Sequence, residues 1–269
     1  MKKPLVRGHW IAASQFHDLT EAEVLREVSK RVAETKARAG AQRQSHPLVL
    51  FDLDSTLYEV GPRTHQILRE WLDSSESAEF PRVREELRGL ENQHVGYSLK
   101  DTFEALGLDL ERADVSDGIA SAKKFWLARF FSDDYLKYDH AYPGAAHFVR
   151  EVHRLGAEIV YLTGRDEPGM GRGTRDALLR DGFPRGCERT HLLLKAAFGL
   201  PDLEHKQSAC NYVREHGSLI ASFENEPVNL VAIYEIFPEA MHVLVETVSS
   251  EHAALPVQGL YRIRGFQHL

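Results

Sequence analysis

Three observations predict an α/β fold, a parallel sheet with helices on both faces and a helical insert after its first strand. From Pro143 onward, short apolar runs alternate with amphipathic stretches, as parallel strands and their crossover helices do. A lone apolar run, Leu48-Val49-Leu50, stands far upstream of that alternation. Between the two, residues 62–139 show helical periodicity and no two-residue alternation.

The elements follow in chain order. Thr20 and Glu23 form a capping-box pair, Val24, Val28 and Val32 recur every fourth residue beside Leu25, and Gly40 supplies a stop, so 20–39 is predicted as an amphipathic helix. It belongs to an N-terminal extension, 1–45, packed on the rest. Strand one ends at Phe51. The insert divides into helical segments Thr64–Leu72, Val83–Leu90, Leu99–Leu106 and Ala120–Phe131, separated by polar or Gly-rich breaks. Lys123-Lys124-Phe125-Trp126 reads as one amphipathic face within it. Pro143-Gly144 opens a helix that Gly156 stops. Then come strand Glu158–Leu162, a helix around Thr174–Arg180, strand His191–Leu194, helix Asp202–Glu215, strand Ser218–Phe223, helix Val228–Phe237 and strand Met241–Val245. Leu260–Ile263 suits an antiparallel edge strand. The domain reading is a core of 46–61 and 140–269 around an insert of 62–139.

In such a sheet, ligands bind beyond the carboxyl ends of the strands. Four of those ends carry chemistry: Asp52 and Asp54, then Thr163-Gly164-Arg165-Asp166, then Lys195, then Glu224-Asn225-Glu226. Two carboxylates at the end of a buried strand each cost several kcal/mol unless compensated. A divalent cation is the usual compensator. A Ca²⁺ loop fits poorly, because Ser55, Thr56 and Leu57 follow Asp54 and the next carboxylate is Glu59.

Composition removes other classes. The net charge of −7 gives no basic footprint and argues against a dedicated nucleic-acid binder. Two cysteines, Cys187 and Cys210, cannot frame a disulfide scaffold and point to a reducing, cytoplasmic setting. Met1-Lys2-Lys3 is followed by Pro4, Arg7, Gly8 and His9 rather than a signal-peptide core, and no apolar run reaches membrane-spanning length. The 14 histidines show neither H-x-x-x-H spacing nor a Cys/His ligand set, so no zinc site is expected.

These motifs resemble those of the haloacid dehalogenase superfamily. Asp52-Leu53-Asp54-Ser55-Thr56 matches its D-x-D-x-T motif, Thr163 its strand-end Thr, Lys206 its lysine before strand four, and Glu224-Asn225 approximates its acidic pair. The likeness covers about 46–246 and implies a Rossmann-like sheet. Asp52 and Thr163 stand 111 residues apart, where a βαβ unit needs only ~30. The excess lies where this superfamily carries a helical cap of the first type. Glu224 and Asn225 depart from the usual Asp, which bears on metal affinity.

The resemblance implies a Mg²⁺-dependent phosphatase acting on a small phosphorylated metabolite through an aspartyl phosphate. Asp52 would be the nucleophile, Asp54 the general acid/base, Thr163 a phosphoryl hydrogen-bond donor and Lys206 the charge-balancing lysine, with Lys195 its competitor for that role. Ser55, Gly164, Arg165 and Lys195 would be phosphate or substrate contacts. Arg165 could clamp substrate or pair with Asp166. Mg²⁺ would be held through Asp52, the Asp54 carbonyl, Glu224 and Asn225. A dehalogenase is disfavoured by the presence of Asp54, and a mutase shares these motifs. The competing readings are a nucleic-acid end phosphatase and an inactive binding module.

Overall fold

The computed structural model describes residues 3–39 and 46–267. Gly40, the predicted helix stop, and Met1 and Lys2 lie outside the described residues. Among the described residues no helix is long and apolar enough to cross a membrane. By contacts the chain divides into two compact units, 1–58, 141–168 and 178–269 in the first, 59–140 and 169–177 in the second.

The first unit is built on a six-stranded sheet. Its strands are β1 (Pro47–Phe51), β4 (Glu158–Asp166), β5 (Thr190–Lys195), β6 (Ser218–Glu224), β7 (Met241–Val245) and β8 (Tyr261–Ile263). The short strands β2 (Tyr58–Glu59) and β3 (His140–Ala141) stand in the sequence where the insert begins and ends. The spatial order is β5-β4-β1-β6-β7-β8. Every pairing in it is parallel. That places β1 centrally, and all five of its residues are buried, as expected of a strand covered on both faces.

The β8 pairing corrects the antiparallel edge expected at Leu260–Ile263. A parallel crossover normally needs a helix, and 246–260 contains none. The N-terminal arm supports this crossover instead. Leu5 N donates to Ala254 O, Gln15 N to Val257 O and His17 N to Leu260 O. Trp10, on α1 (Arg7–Ala13), is fully buried among Leu230, Leu244 and Leu260.

Pleat alternation divides the core. Leu48 and Leu50 join Val160, Leu162, Cys210, Val213 and Ile233 on one face, drawing in α9 (Asp202–His216) and α10 (Pro227–Ile236). On the other, Phe51 stacks on Phe223 at 4.9 Å and meets Phe148 edge-on at 6.1 Å, below α7 (Ala145–Arg154) and α2 (Glu21–Arg38). Each such side chain, fully buried, contributes about 1.5–3 kcal/mol. The Thr20/Glu23 capping box is formed as the sequence predicts, Glu23 N donating to Thr20 Oγ1 and Thr20 N to Glu23 Oε2. At the amino ends of the strands, away from the rim residues, buried Glu158 is matched by His191 Nε2 at 2.7 Å, whose Nδ1 bonds the Tyr212 hydroxyl.

The second unit is helical: α3 (Gly61–Asp73), α4 (Pro81–Leu87), α5 (Leu99–Ala105) and α6 (Ala113–Phe130) enclose a separate core containing Leu68, Trp71, Phe103 and Phe125. Phe125 is buried while Lys123 and Lys124 are exposed, so that run is an amphipathic face. Arg63 and Asp139 make a fully buried pair, Nε to Oδ1 at 2.8 Å and Nη2 to Oδ2 at 2.5 Å.

Helix α8 (Glu167–Arg180) starts seven residues before the predicted Thr174. Pro168 and the glycines at 169, 171 and 173 read as breakers, but proline is harmless in a first turn. Gly173 serves packing: a Cβ there would lie 2.6 Å from the Asp133 carbonyl oxygen. Helix propensity alone favours Gly173→Ala by about 1 kcal/mol. The backbone contact reverses the sign, and a loss of about 1–3 kcal/mol in urea unfolding is expected. A gain would show that the helix can shift to admit the methyl group.

Candidate active site

The carboxyl end of β1 continues into Asp52, whose amide still bonds the sheet by donating to Phe223 O. The chain then turns sharply. Ser55 N donates to Tyr58 O, and Leu57 N and Tyr58 N both donate to Leu53 O. Ser55 takes φ 60, an uncommon conformation for a residue with a side chain. The turn sends the two carboxylates apart. Asp52 is 4% exposed, whereas the Asp54 side chain keeps 34%.

Lys206, in the first turns of α9, bridges Asp52 to the end of β6. Its Nζ donates to Asp52 Oδ1 at 2.7 Å and to Glu224 Oε2 at 2.5 Å, and all three groups are buried. Glu224 Oε1 accepts from Glu226 N and Asn229 Nδ2. Two carboxylates thus share one ammonium. Burial, and then the Glu224 charge, push Asp52 up to about 7 against the pull of Lys206. Burial also raises Glu224. Burial opposes the Lys206 charge, but Asp52 and Glu224 outweigh it and hold the ammonium above its ordinary range. The cluster retains an excess of negative charge that would accept a further cation.

The other rim lysine goes elsewhere. Lys195, at the end of β5, donates to Asp202 Oδ1 at 2.8 Å and to Phe198 O. Of the two candidates, the fold brings Lys206 to Asp52. Gly164 lies against the same Asp202, where a Cβ would meet its Oδ2 at 2.7 Å, so a larger residue there would have to push that side chain aside. Thr163 is fully buried, and its Oγ1 accepts from Arg165 N at 3.3 Å. Arg165 donates to Asp54 Oδ1 through Nε at 2.9 Å and also through Nη2. A β-bulge causes this aim. The β4–β5 register pairs Leu162 with Leu193 and next Asp166 with Lys195, leaving extra residues on β4, and bulges redirect side chains in this way.

Asn225, a predicted metal contact, has both ends of its amide engaged. Oδ1 accepts from Thr56 Oγ1 at 3.2 Å and Nδ2 donates to Val248 O at 2.7 Å. Val248 belongs to a loop that sequence reasoning missed. In that loop Thr247 Oγ1 donates to Ser55 O, while Ser250 N and Oγ donate to Glu226 at 2.7 and 2.6 Å. The available signal was position, since the loop follows β7 at the same rim.

No curated protein matches the chain. Solved structures resemble it at low identity. A candidate phosphatase from Clostridium difficile is 14% identical with a TM-score of 0.48, the match covering 79% of this chain and 94% of that one. Protein Tyrosine Kinase A of Mycobacterium tuberculosis is 15% identical at TM-score 0.44, covering 82% and 94%. A candidate haloacid dehalogenase-like hydrolase from Burkholderia xenovorans LB400 is 18% identical at TM-score 0.44, covering 82% and 93%. The family description itself matches residues 46–211, a span that runs from the start of β1 into α9 and holds Asp52, Asp54, Thr163 and Lys206. On that match the chain belongs to the haloacid dehalogenase-like hydrolases.

Proposed function

We propose that this hydrolase is a Mg²⁺-dependent phosphatase that cleaves a small phosphomonoester through an aspartyl phosphate on Asp52. The observation that carries this reading is the buried Asp52–Lys206–Glu224 bridge at the carboxyl end of the sheet, with Asp54 just beyond β1 and Thr163 on the neighbouring β4. Asp52 would attack phosphorus as the ester P–O bond breaks, and Asp54 would protonate the leaving oxygen and later take a proton from the attacking water. Thr163 would donate to a phosphoryl oxygen, and Lys206 would offset charge on the transferring group. Gly164 would present its backbone, and Ser55 its hydroxyl, to the phosphate. Lys195, held by Asp202, is assigned to the substrate rim. Substrate choice is assigned to the helical insert, which has a core of its own.

The donor set fits Mg²⁺. That ion is usually held by one or two carboxylates and keeps several waters, and Asp52 and Glu224 leave one negative charge unbalanced by Lys206. Asp52, Glu224 and the backbone oxygen of Asp54 would hold it, and its charge would help neutralise the phosphoryl oxygens. Asn225 would contribute by fixing the loop at Val248 rather than by coordination.

The test is hydrolysis of a generic aryl phosphate with Mg²⁺ and after chelation. Turnover that falls at least about 100-fold on chelation and returns with Mg²⁺ is expected. Undiminished turnover would remove the metal assignment, and absence of turnover with Mg²⁺ present would favour the inactive-module reading. A strong preference for phosphorylated DNA ends over small esters would favour the end-phosphatase reading, which the net charge of −7 opposes.

A further inference from the structure

The Arg165–Asp54 contact connects two groups that the proposed reaction needs in different states. Its side chain fully buried, Arg165 points two nitrogens at one oxygen of Asp54. Asp54, as general acid, must face the leaving oxygen when the ester bond breaks. A carboxylate gripped by a guanidinium is instead turned toward its partner. Something must therefore take Arg165 away before Asp54 can act.

We propose that Arg165 is a two-position clamp that holds Asp54 while the site lacks a phosphoryl group and moves to phosphoryl oxygens when one binds. This rests on the phosphatase reading above. Three features support it. The β4 bulge aims Arg165 across the rim and ties its amide to Thr163 Oγ1, the hydroxyl assigned to the phosphoryl group, so the two donors are built on one segment. The guanidinium is sealed from bulk solvent, so a new partner must enter through the site. A phosphoryl dianion offers a guanidinium two parallel acceptors, and paired Arg–phosphate bonds are among the strong ones. Once released, the one-third exposed Asp54 can turn to the leaving oxygen. As general acid it protonates the leaving alkoxide as the Asp52 Oδ–P bond forms and the ester P–O bond breaks. Substrate binding would thereby arm the acid.

If so, part of the binding energy for phosphate is used to break the Arg165–Asp54 pair. Calorimetric titration of inorganic phosphate in magnesium buffer would read this in a double-mutant cycle of wild type, Asp54→Asn, Arg165→Gln and the double variant. Asp54→Asn should tighten phosphate about tenfold, equivalent to about 1.4 kcal/mol, when Arg165 is present, and less than about twofold when it is Gln. Equal tightening in both backgrounds would mean that only bulk charge changed, and would overturn the clamp. So would unchanged affinity in Asp54→Asn. Should Arg165→Gln fail to fold, Arg165→Lys replaces it. It keeps the charge but cannot make the paired contact, so it should retain less than half of the tightening, and full tightening there would also overturn the proposal. Wild-type turnover of the aryl phosphate separates the two ideas. Turnover without coupling sinks the clamp alone, whereas neither turnover nor phosphate binding sinks the phosphatase reading and the clamp with it.

Discussion

Replacing Asp52 by asparagine is expected to lower turnover of an aryl phosphate by at least about 10⁴-fold, roughly 5 kcal/mol of barrier, without loss of folded protein. The amide keeps the shape of the side chain but cannot form the acyl phosphate. Stability should respond in the opposite direction. Asp52 is pushed from 3.8 up to about 7, first by burial and then by Glu224, so the folded chain binds a proton there more tightly than the unfolded chain. Its contribution is fully present below about pH 4 and is lost as pH rises through about 7. Asparagine carries no such dependence and leaves Lys206 balanced against Glu224 alone. In metal-free urea unfolding the variant should gain on wild type between pH 5 and pH 8. Turnover within tenfold of wild type would overturn the covalent mechanism. A variant that loses stability as pH rises relative to wild type would overturn the charge account.

Much of this site was legible because the strand ends, and with them the rim positions, follow from local pattern. An apolar run ending in Asp52-Leu53-Asp54 marks a buried strand with charge at its carboxyl end. Thr163 and Glu224 end similar runs, and Lys206 is separable from Lys195 by its place on the helix before β6. What stayed hidden depends on contacts that no local pattern encodes. The sequence leaves Arg165 between a substrate role and Asp166, because the extra β4 residues that turn it toward Asp54 appear only in the β4–β5 register. The loop holding Thr247, Val248 and Ser250 carries no titratable motif, so its bonds to Ser55, Asn225 and Glu226 leave no trace in spacing. Helix α8 hid behind glycines of which one, Gly173, serves the Asp133 contact. Strand β8 was misread because its crossover is supported by residues near the other end of the chain.

Lys206→Met should be the most damaging single change to the folded first unit. The methionine keeps most of the buried stem but leaves Asp52 and Glu224 facing each other with no cation, and breaking a buried charge set in this way costs about 3–5 kcal/mol. The loss should depend on pH with a definite sign. Burial already raises both carboxyls, and without the ammonium they rise further, so the variant is least impaired where both can hold protons. The deficit should be small near pH 5 and full near pH 8. Adding Glu224→Gln removes one of the opposed charges and should recover most of the stability while leaving turnover abolished, since neither the lysine nor the second carboxylate is present. Mg²⁺ should also stabilise the single variant more than wild type, because it replaces a missing positive charge. Urea unfolding at the two pH values, with and without Mg²⁺, reads all of these effects. A loss equal at pH 5 and pH 8 and untouched by Glu224→Gln would mean that Lys206 serves through packing alone, and the charge bridge would then cease to explain why two carboxylates can be buried at the end of this sheet.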